Sequence, residues 1–385
     1  MSRLKRIGVL TGGGDVPGLN AAIRALTLRA ADDGCEVLGI KRGWLGLLEI
    51  DTARPDGASV IPLDRTRVRT VDRHGGTFLH TSRTNPAKVK RSELPAHLEG
   101  AVPPDAKTAD LTDHVLAVLK ALRLDALVAI GGDDTLSYAV HLNKMGFPVL
   151  GIPKTMDNDV PGTDYCIGFS TAVTRSVNFL IDLRTPAGSH ERIAVVELFG
   201  RYCGETALFT GFLGSADRTA ISEVPVDLGK LSRFLCEDQD CNPSHYAILV
   251  ISEGATLKGG SRIESGSPDA YGHMKLGGIG DLVGAELERI TGRSVLVQRL
   301  AYLMRSGPPD SVDRMVATNF AQLAYARLQE GKRGEMVALR DGCYAVVPIE
   351  TAISGKRAVD VAAYYDAENY RPRINSKIGL PMFLT

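Results

Sequence analysis

Short apolar runs that stop at a glycine-rich turn and restart as an amphipathic helix recur along this chain, and that alternation constrains its fold most. Residues 6–10 are such a run, 11–18 the turn, 20–31 an amphipathic helix and 36–40 the next run. A strand buried on both faces reads as continuous apolar residues, and parallel strands need a helical crossover, so a βαβ unit is predicted. The pattern returns. Leu111, Val115, Val118, Leu119 and Leu122 lie at helical spacing, 125–130 read as a strand entering Gly131-Gly132, 135–145 as a helix, and 148–152 as a strand entering a turn at Lys154. A second half is similar, with a helix over 170–183, a strand over 192–197, and a strand over 245–251 that ends at Ser252-Glu253-Gly254. The expected class is α/β, with parallel-rich sheets flanked by helices. Ligands of open α/β sheets bind beyond the carboxyl ends of strands, so the turns are expected around one crevice.

Length and charge narrow the field. The 385 residues suffice for a large core in two lobes, and the formal net charge is zero. That balance carries no electrostatic footprint for nucleic acid or a membrane surface, and no run reaches the ~18 apolar residues of a membrane span. The first residues lead directly into a strand, so no secretory signal is expected. Cys35, Cys166, Cys203, Cys236, Cys241 and Cys343 are scattered without zinc spacing, which reads as free thiols in a reducing cytoplasm. The Gly/Ser-rich stretch 255–281 is expected to be a mobile excursion from the core.

Four turns carry chemistry. Thr11-Gly12-Gly13-Gly14-Asp15 lies between strand and helix, where glycines let backbone N–H groups approach an anion and a helix N-terminus adds positive potential. Such a turn also serves to pack strand on helix. Residues 75–83 form a second glycine turn ending at Arg83, a partner for phosphate oxygens or a surface arginine. In the run 131–135, Asp133 is suited to Mg²⁺, which takes one or two carboxylates plus phosphate oxygens; capping the following helix is the other reading. Asp157 and Asp159 flank Asn158, where a carboxylate can accept the proton of an attacking hydroxyl or an Asx turn can close the loop. Arg192, Arg201, Glu253 and the run 302–305 could hold a sugar phosphate.

Two residues in these turns stand out. Asp134 adds a second carboxylate to a phosphate cradle, where a further phosphate would otherwise lie, and Lys154 adds a cation twenty residues on. Together they point to phosphoryl transfer from a short donor with a longer one refused.

In this order, 11–15, 75–83, 131–135, 153–159, 197–204, 251–254 and 302–307 resemble the motifs of the phosphofructokinase family, over about 7–320. The ATP-using branch carries glycine at the places of Asp134 and usually of Lys154; the pyrophosphate-using branch carries Asp and Lys. The resemblance implies two Rossmann-like lobes with the active site in the cleft between them. Residues 1–168 plus about 304–356 would form the pyrophosphate- and Mg-binding lobe. Residues 169–303 plus about 357–385 would form the sugar-phosphate lobe.

It also implies roles. Asp157 would take the proton from the 1-hydroxyl of fructose 6-phosphate, with Lys154, Asp134, Thr155 and Arg201 completing the catalytic set and Asp133 holding Mg²⁺. Gly13, Gly14, Arg83, Asp134 and Lys154 would bind the donor. Thr155, Met156, Asp157, Asp159, Arg192, Phe199, Gly200, Arg201, Glu253, Arg299, Tyr302, Leu303, Met304 and Arg305 would bind the sugar phosphate. Arg192 matches an arginine that crosses a subunit interface, which implies a homodimer or homotetramer. Three departures matter. Leu296 stands where the family has its 6-phosphate arginine, leaving Arg293 or Arg299 as substitutes. Phe199 replaces a usual methionine. Leu28 replaces an effector-site arginine while Arg24 remains, which argues against nucleotide control. The other readings are an ATP-dependent kinase and a regulatory subunit, and the retained Asp133, Lys154 and Asp157 argue against the second.

Overall fold

A computed structural model of the chain describes residues 4–53, 55, 57–103, 105–265 and 275–373. The first half lays down β1 (Arg6–Thr11), β2 (Glu36–Ile40), β3 (Val60–Leu63), β4 (Ala126–Gly131) and β5 (Val149–Pro153). A smaller sheet follows with β6 (Ile193–Leu198), β7 (Arg218–Ala220), β8 (Ala247–Ser252) and β9 (Val295–Arg299). The chain then returns to the first sheet with β10 (Glu335–Arg340) and β11 (Cys343–Pro348). The large sheet has the order β11-β10-β5-β4-β1-β2-β3 and the small one β9-β6-β8-β7. Within the large sheet only the edge strands β3 and β11 run antiparallel to their neighbours, and the small sheet is parallel throughout. The expected α/β architecture is the one observed.

Alternation along each strand sorts side chains to two helical layers. Val128 and Ile130 of β4 pack with Ile23 of α1 (Leu19–Asp32), whereas Leu127 and Ala129 face Leu136 and Leu142 of α2 (Asp133–Lys144). The same rule applies in the small sheet. Ala194 and Val196 point to α3 (Phe169–Ser189), while Ile193 and Val195 join Val283 and Leu287 on the other face. The core under α3 is continuous with that under α1, so one apolar layer spans both sheets. Burying each such side chain contributes on the order of 2 kcal/mol.

The sequence pattern missed β3, β7, β9 and the β10–β11 hairpin. Pro62 breaks the strand signal of β3, and an edge strand tolerates it because one row of backbone groups lies unpaired. In the stretch 255–281, Glu264–Ser265 pairs antiparallel with Lys275–Leu276, and α4 (Ile279–Thr291) begins before the stretch ends. The rest of the expected excursion, 266–274, lies outside the described residues, as do 374–385 of the expected second lobe.

Candidate active site

The carboxyl ends of β1, β4, β5, β6, β8 and β9 converge on a cavity of about 550 Å³. On the large-sheet side the turn after β1 is fixed by backbone. Gly12 N–H donates to Ile130 O (3.0 Å), Gly13 N–H to Ser82 O (2.9 Å), and Thr81 Oγ1 to Gly13 O (2.7 Å). A Cβ at Gly12 or Gly131 would stand 2.5 or 2.3 Å from the Thr135 side chain, so these glycines also serve close packing. At Gly14 a Cβ would meet Arg305 Nη1 at 2.5 Å, which sets the guanidinium directly against this turn. Lys154 reaches the same place and donates to Gly14 O. It is 3% exposed, and burial followed by the Arg305 charge lowers its pKa to about 8. Arg83 lines the cavity beside them. Three cations around a glycine turn form a cradle for a highly charged anion.

Asp133 and Asp134 open the first turn of α2, facing this cradle. The cap position is Gly132, so neither carboxylate is the helix cap; Asp133 Oδ1 instead accepts the Asp134 N–H at 2.9 Å.

Past β5, Asp157 N–H donates to Thr155 Oγ1 (3.2 Å), and Asn158 bends the chain back with φ 55°. Asp157 Oδ1 is buried without a hydrogen-bond partner among the described residues. Burial first, then the charges of Asp159 and Glu253, push the Asp157 carboxyl well above the usual carboxylate range, against the pull of Arg201. Asp159 is raised by burial and by Asp133, with Thr155 and Lys356 opposing. A carboxylate oxygen left unsatisfied in a cavity lacks a proton-bearing partner that a substrate hydroxyl would supply.

The small sheet supplies the other wall. After β6, Gly200 takes φ 148°, and its carbonyl accepts from Ser222 Oγ (2.8 Å) and Ser252 Oγ (2.6 Å). Phe199 N–H donates to Met304 Sδ (3.3 Å), and the Phe199 and Tyr302 rings meet edge to face at 5.7 Å. Arg305 lies 4.7 Å over the Tyr302 ring, and Arg201, Glu253 and Met156 complete the lining. Burial raises the Glu253 carboxyl to about 7. Arg299, the last residue of β9, lines the cavity and pairs with Asp281. Arg293 precedes the other end of β9 and is committed to Asp240 (2.8 Å). Of the two substitutes for the residue at Leu296, only Arg299 reaches the cleft.

Four expected residues are not brought into the lining: Gly200, which shapes the turn between Phe199 and Arg201, and the three that follow. Arg192 precedes β6 at its amino end, opposite the cleft, with its N–H on Ala187 O (2.9 Å). Leu303 points outward, 50% exposed. Met304 is buried beneath Phe199, where its Sδ accepts the Phe199 N–H. Sequence reasoning overlooked Glu197, Tyr202 and Lys356, all of which line the cavity. The Glu197 carboxylate accepts the N–H groups of Gly278 (3.1 Å) and Gly280 (2.7 Å) and so fixes the start of α4. A carboxylate closing a buried strand was a usable signal; Lys356 lies in a loop and gave none.

Known proteins resemble this chain in sequence and in fold. Residues 6–328 match the family pattern described as Phosphofructokinase. The chain is 39% identical over 374 residues to the pyrophosphate--fructose 6-phosphate 1-phosphotransferase of Dictyoglomus thermophilum, covering 96% of this chain and 99% of that one. It is 37% identical over 351 residues to the ATP-dependent 6-phosphofructokinase of Chloroflexus aggregans, covering 91% and 92%. The crystal structure of a pyrophosphate-dependent phosphofructokinase from Nitrosospira multiformis superposes with a TM-score of 0.75 at 16% identity, over 99% and 96% of the two chains. The chain belongs to the phosphofructokinase family.

Proposed function

We propose that this enzyme transfers a phosphoryl group reversibly from pyrophosphate to the 1-hydroxyl of fructose 6-phosphate, giving fructose 1,6-bisphosphate and phosphate. The observation that carries the choice of donor is Lys154, buried at the glycine turn with its ammonium on Gly14 O, in a cavity that Asp134 also lines. A cation there suits a short, dense anion, while the Asp134 carboxylate repels the inner phosphate of a nucleotide. The large-sheet lobe would hold the donor and the small-sheet lobe the sugar.

Asp157 accepts the proton of the 1-hydroxyl, and that oxygen bonds to the near phosphorus of pyrophosphate as the bridging P–O bond breaks. Phosphate leaves with the bonding pair. Lys154, Arg83 and Arg305 stabilise the leaving phosphate, and Gly13 and Gly14 allow its close approach. Thr155 and Asp159 shape the turn that aims Asp157. Arg201, Arg299, Glu253 and Tyr302 would orient the sugar phosphate, and positioning of this kind contributes much of the rate in phosphoryl transfer. The mutual repulsion of Asp133 and Asp159 in a buried cleft fits a Mg²⁺ site at Asp133, completed by donor oxygens. When bound, Mg²⁺ would neutralise charge on the phosphates. Arg192, at the far end of β6, could serve a sugar phosphate only in a neighbouring copy of a homo-oligomer.

Relatives carry both donor names, so ATP is the competing reading. Initial rates with Mg²⁺, fructose 6-phosphate and either donor separate them. Faster turnover of pyrophosphate is expected; faster turnover of ATP would overturn the proposal.

A further inference from the structure

After β11 the chain makes a short helical turn (Ile349–Ile353) and crosses toward the small-sheet lobe. The crossing is tied down on both sides of residue 356. Arg357 N–H donates to Asp159 O (3.3 Å), and its guanidinium to Asn158 O (3.2 Å), Asp164 O (2.9 Å) and Glu205 Oε1 (2.7 Å). Asn158 Nδ2 closes the ring on Glu205 Oε2 (2.6 Å). Two residues on, Val359 N–H donates to Glu223 Oε1 (2.9 Å), a carboxylate that also receives Gly204 N–H (2.9 Å). The strap therefore has little freedom where Lys356 leaves it.

Lys356 lines the cleft with Asp157, Asp159 and Tyr202, and its Nζ lies 3.4 Å from the centre of the Tyr202 ring. Among the described residues no carboxylate stands within ion-pair distance of that Nζ. An aromatic face holds an ammonium while leaving its N–H donors available. The other donor-side cations, Lys154, Arg83 and Arg305, gather at Gly14. A phosphoryl group moving toward Asp157 leaves that cradle and approaches three carboxylates, Asp133, Asp157 and Asp159.

We propose that Lys356 is a further catalytic residue, donating a hydrogen bond to an oxygen of the phosphoryl group in transfer from the side of the acidic turn. It keeps its proton throughout. The hydroxyl proton still goes to Asp157 and the bonding pair to the departing phosphate. The inference rests on phosphoryl transfer as the reaction, but not on which donor is used.

The test is Lys356→Ala, assayed with both pyrophosphate and ATP at saturating fructose 6-phosphate and Mg²⁺, and read on whichever donor the wild type turns over. Because the side chain is exposed at a tethered backbone, the variant should fold with an unchanged melting temperature. The expected loss is about 10²-fold in kcat, the scale of one charge-stabilising donor, with little change in KM. Methylammonium should restore part of that loss. Wild-type kcat in Lys356→Ala, or a loss that methylammonium does not relieve, would overturn the assignment. A wild type that prefers ATP would sink the donor reading while leaving the Lys356 ratio measurable.

Discussion

Replacing Lys154 with methionine should make the unliganded protein more stable and the enzyme much slower. The ammonium is buried, and its pKa falls from 10.5 to about 8. That difference is worth about 3 kcal/mol. The folded state thus binds fewer protons than the unfolded chain between about pH 8 and 10.5. The charged lysine lowers stability by its full amount below pH 8, and the deficit disappears as pH rises toward 10.5. Lys154→Met removes the charge and also the hydrogen bond to Gly14 O, which is worth ~1.5 kcal/mol or more. The net expectation at pH 7 is about 1–2 kcal/mol of added stability. A chain of this size has an unfolding entropy near ~0.8 kcal/mol/K, so the melting point should rise by about 2 °C. Turnover of pyrophosphate should fall by about 10²-fold, matching ~3 kcal/mol of lost transition-state stabilisation. Thermal melts at pH 7 and pH 10 beside initial rates provide the assay, and the two proteins should converge in stability at the higher pH. A variant that melts lower at pH 7, or that keeps its pyrophosphate rate, would refute the reasoning.

Other residues lead to separate expectations. Asp157→Asn should lower kcat by about 10³-fold, within the range for general-base loss, with no loss of stability, because the ionised carboxyl is disfavoured where it lies. The wild-type rate should rise with pH as Asp157 ionises through its elevated pKa, then fall as Lys154 deprotonates near pH 8; a flat profile across that window would remove both assignments. Arg357→Ala strands Glu205, whose carboxyl burial already raises to about 7 despite this partner, and should cost about 3–5 kcal/mol in urea denaturation. Adding Glu205→Gln should recover part of that loss; a purely additive double variant would show that the pair is not coupled.

The parts legible in the sequence were those written locally. Apolar runs marked β1, β4, β5, β6 and β8 because each is almost wholly buried. The glycine and aspartate turns followed because each directly continues such a strand. What escaped depends on distant partners. Lys356 and Arg357 lie about 200 residues from Asp157, and nothing in their neighbourhood announces the crossing beneath the acidic turn. Glu205 reads as an ordinary helix-start acid, yet it is buried against Asn158 and Arg357. Likewise, Arg293 and Arg299 are indistinguishable by type; only the direction of β9 sets one in the cleft and the other at the opposite end. The sequence leaves the 11–15 turn open between holding phosphate and packing strand on helix, and nothing local shows that the Thr135 side chain occupies the space left by the missing Cβ of Gly12 and Gly131.

The central claim, that Asp134 and Lys154 select the donor, is tested most directly by the ratio of kcat/KM for pyrophosphate to that for ATP. It should be measured side by side in the wild type and in Asp134→Gly. The wild type should favour pyrophosphate, and Asp134→Gly should shift the ratio toward ATP by about thirtyfold, the equivalent of ~2 kcal/mol of relieved like-charge repulsion. A wild type that favours ATP, or a ratio unmoved by Asp134→Gly, would contradict the account.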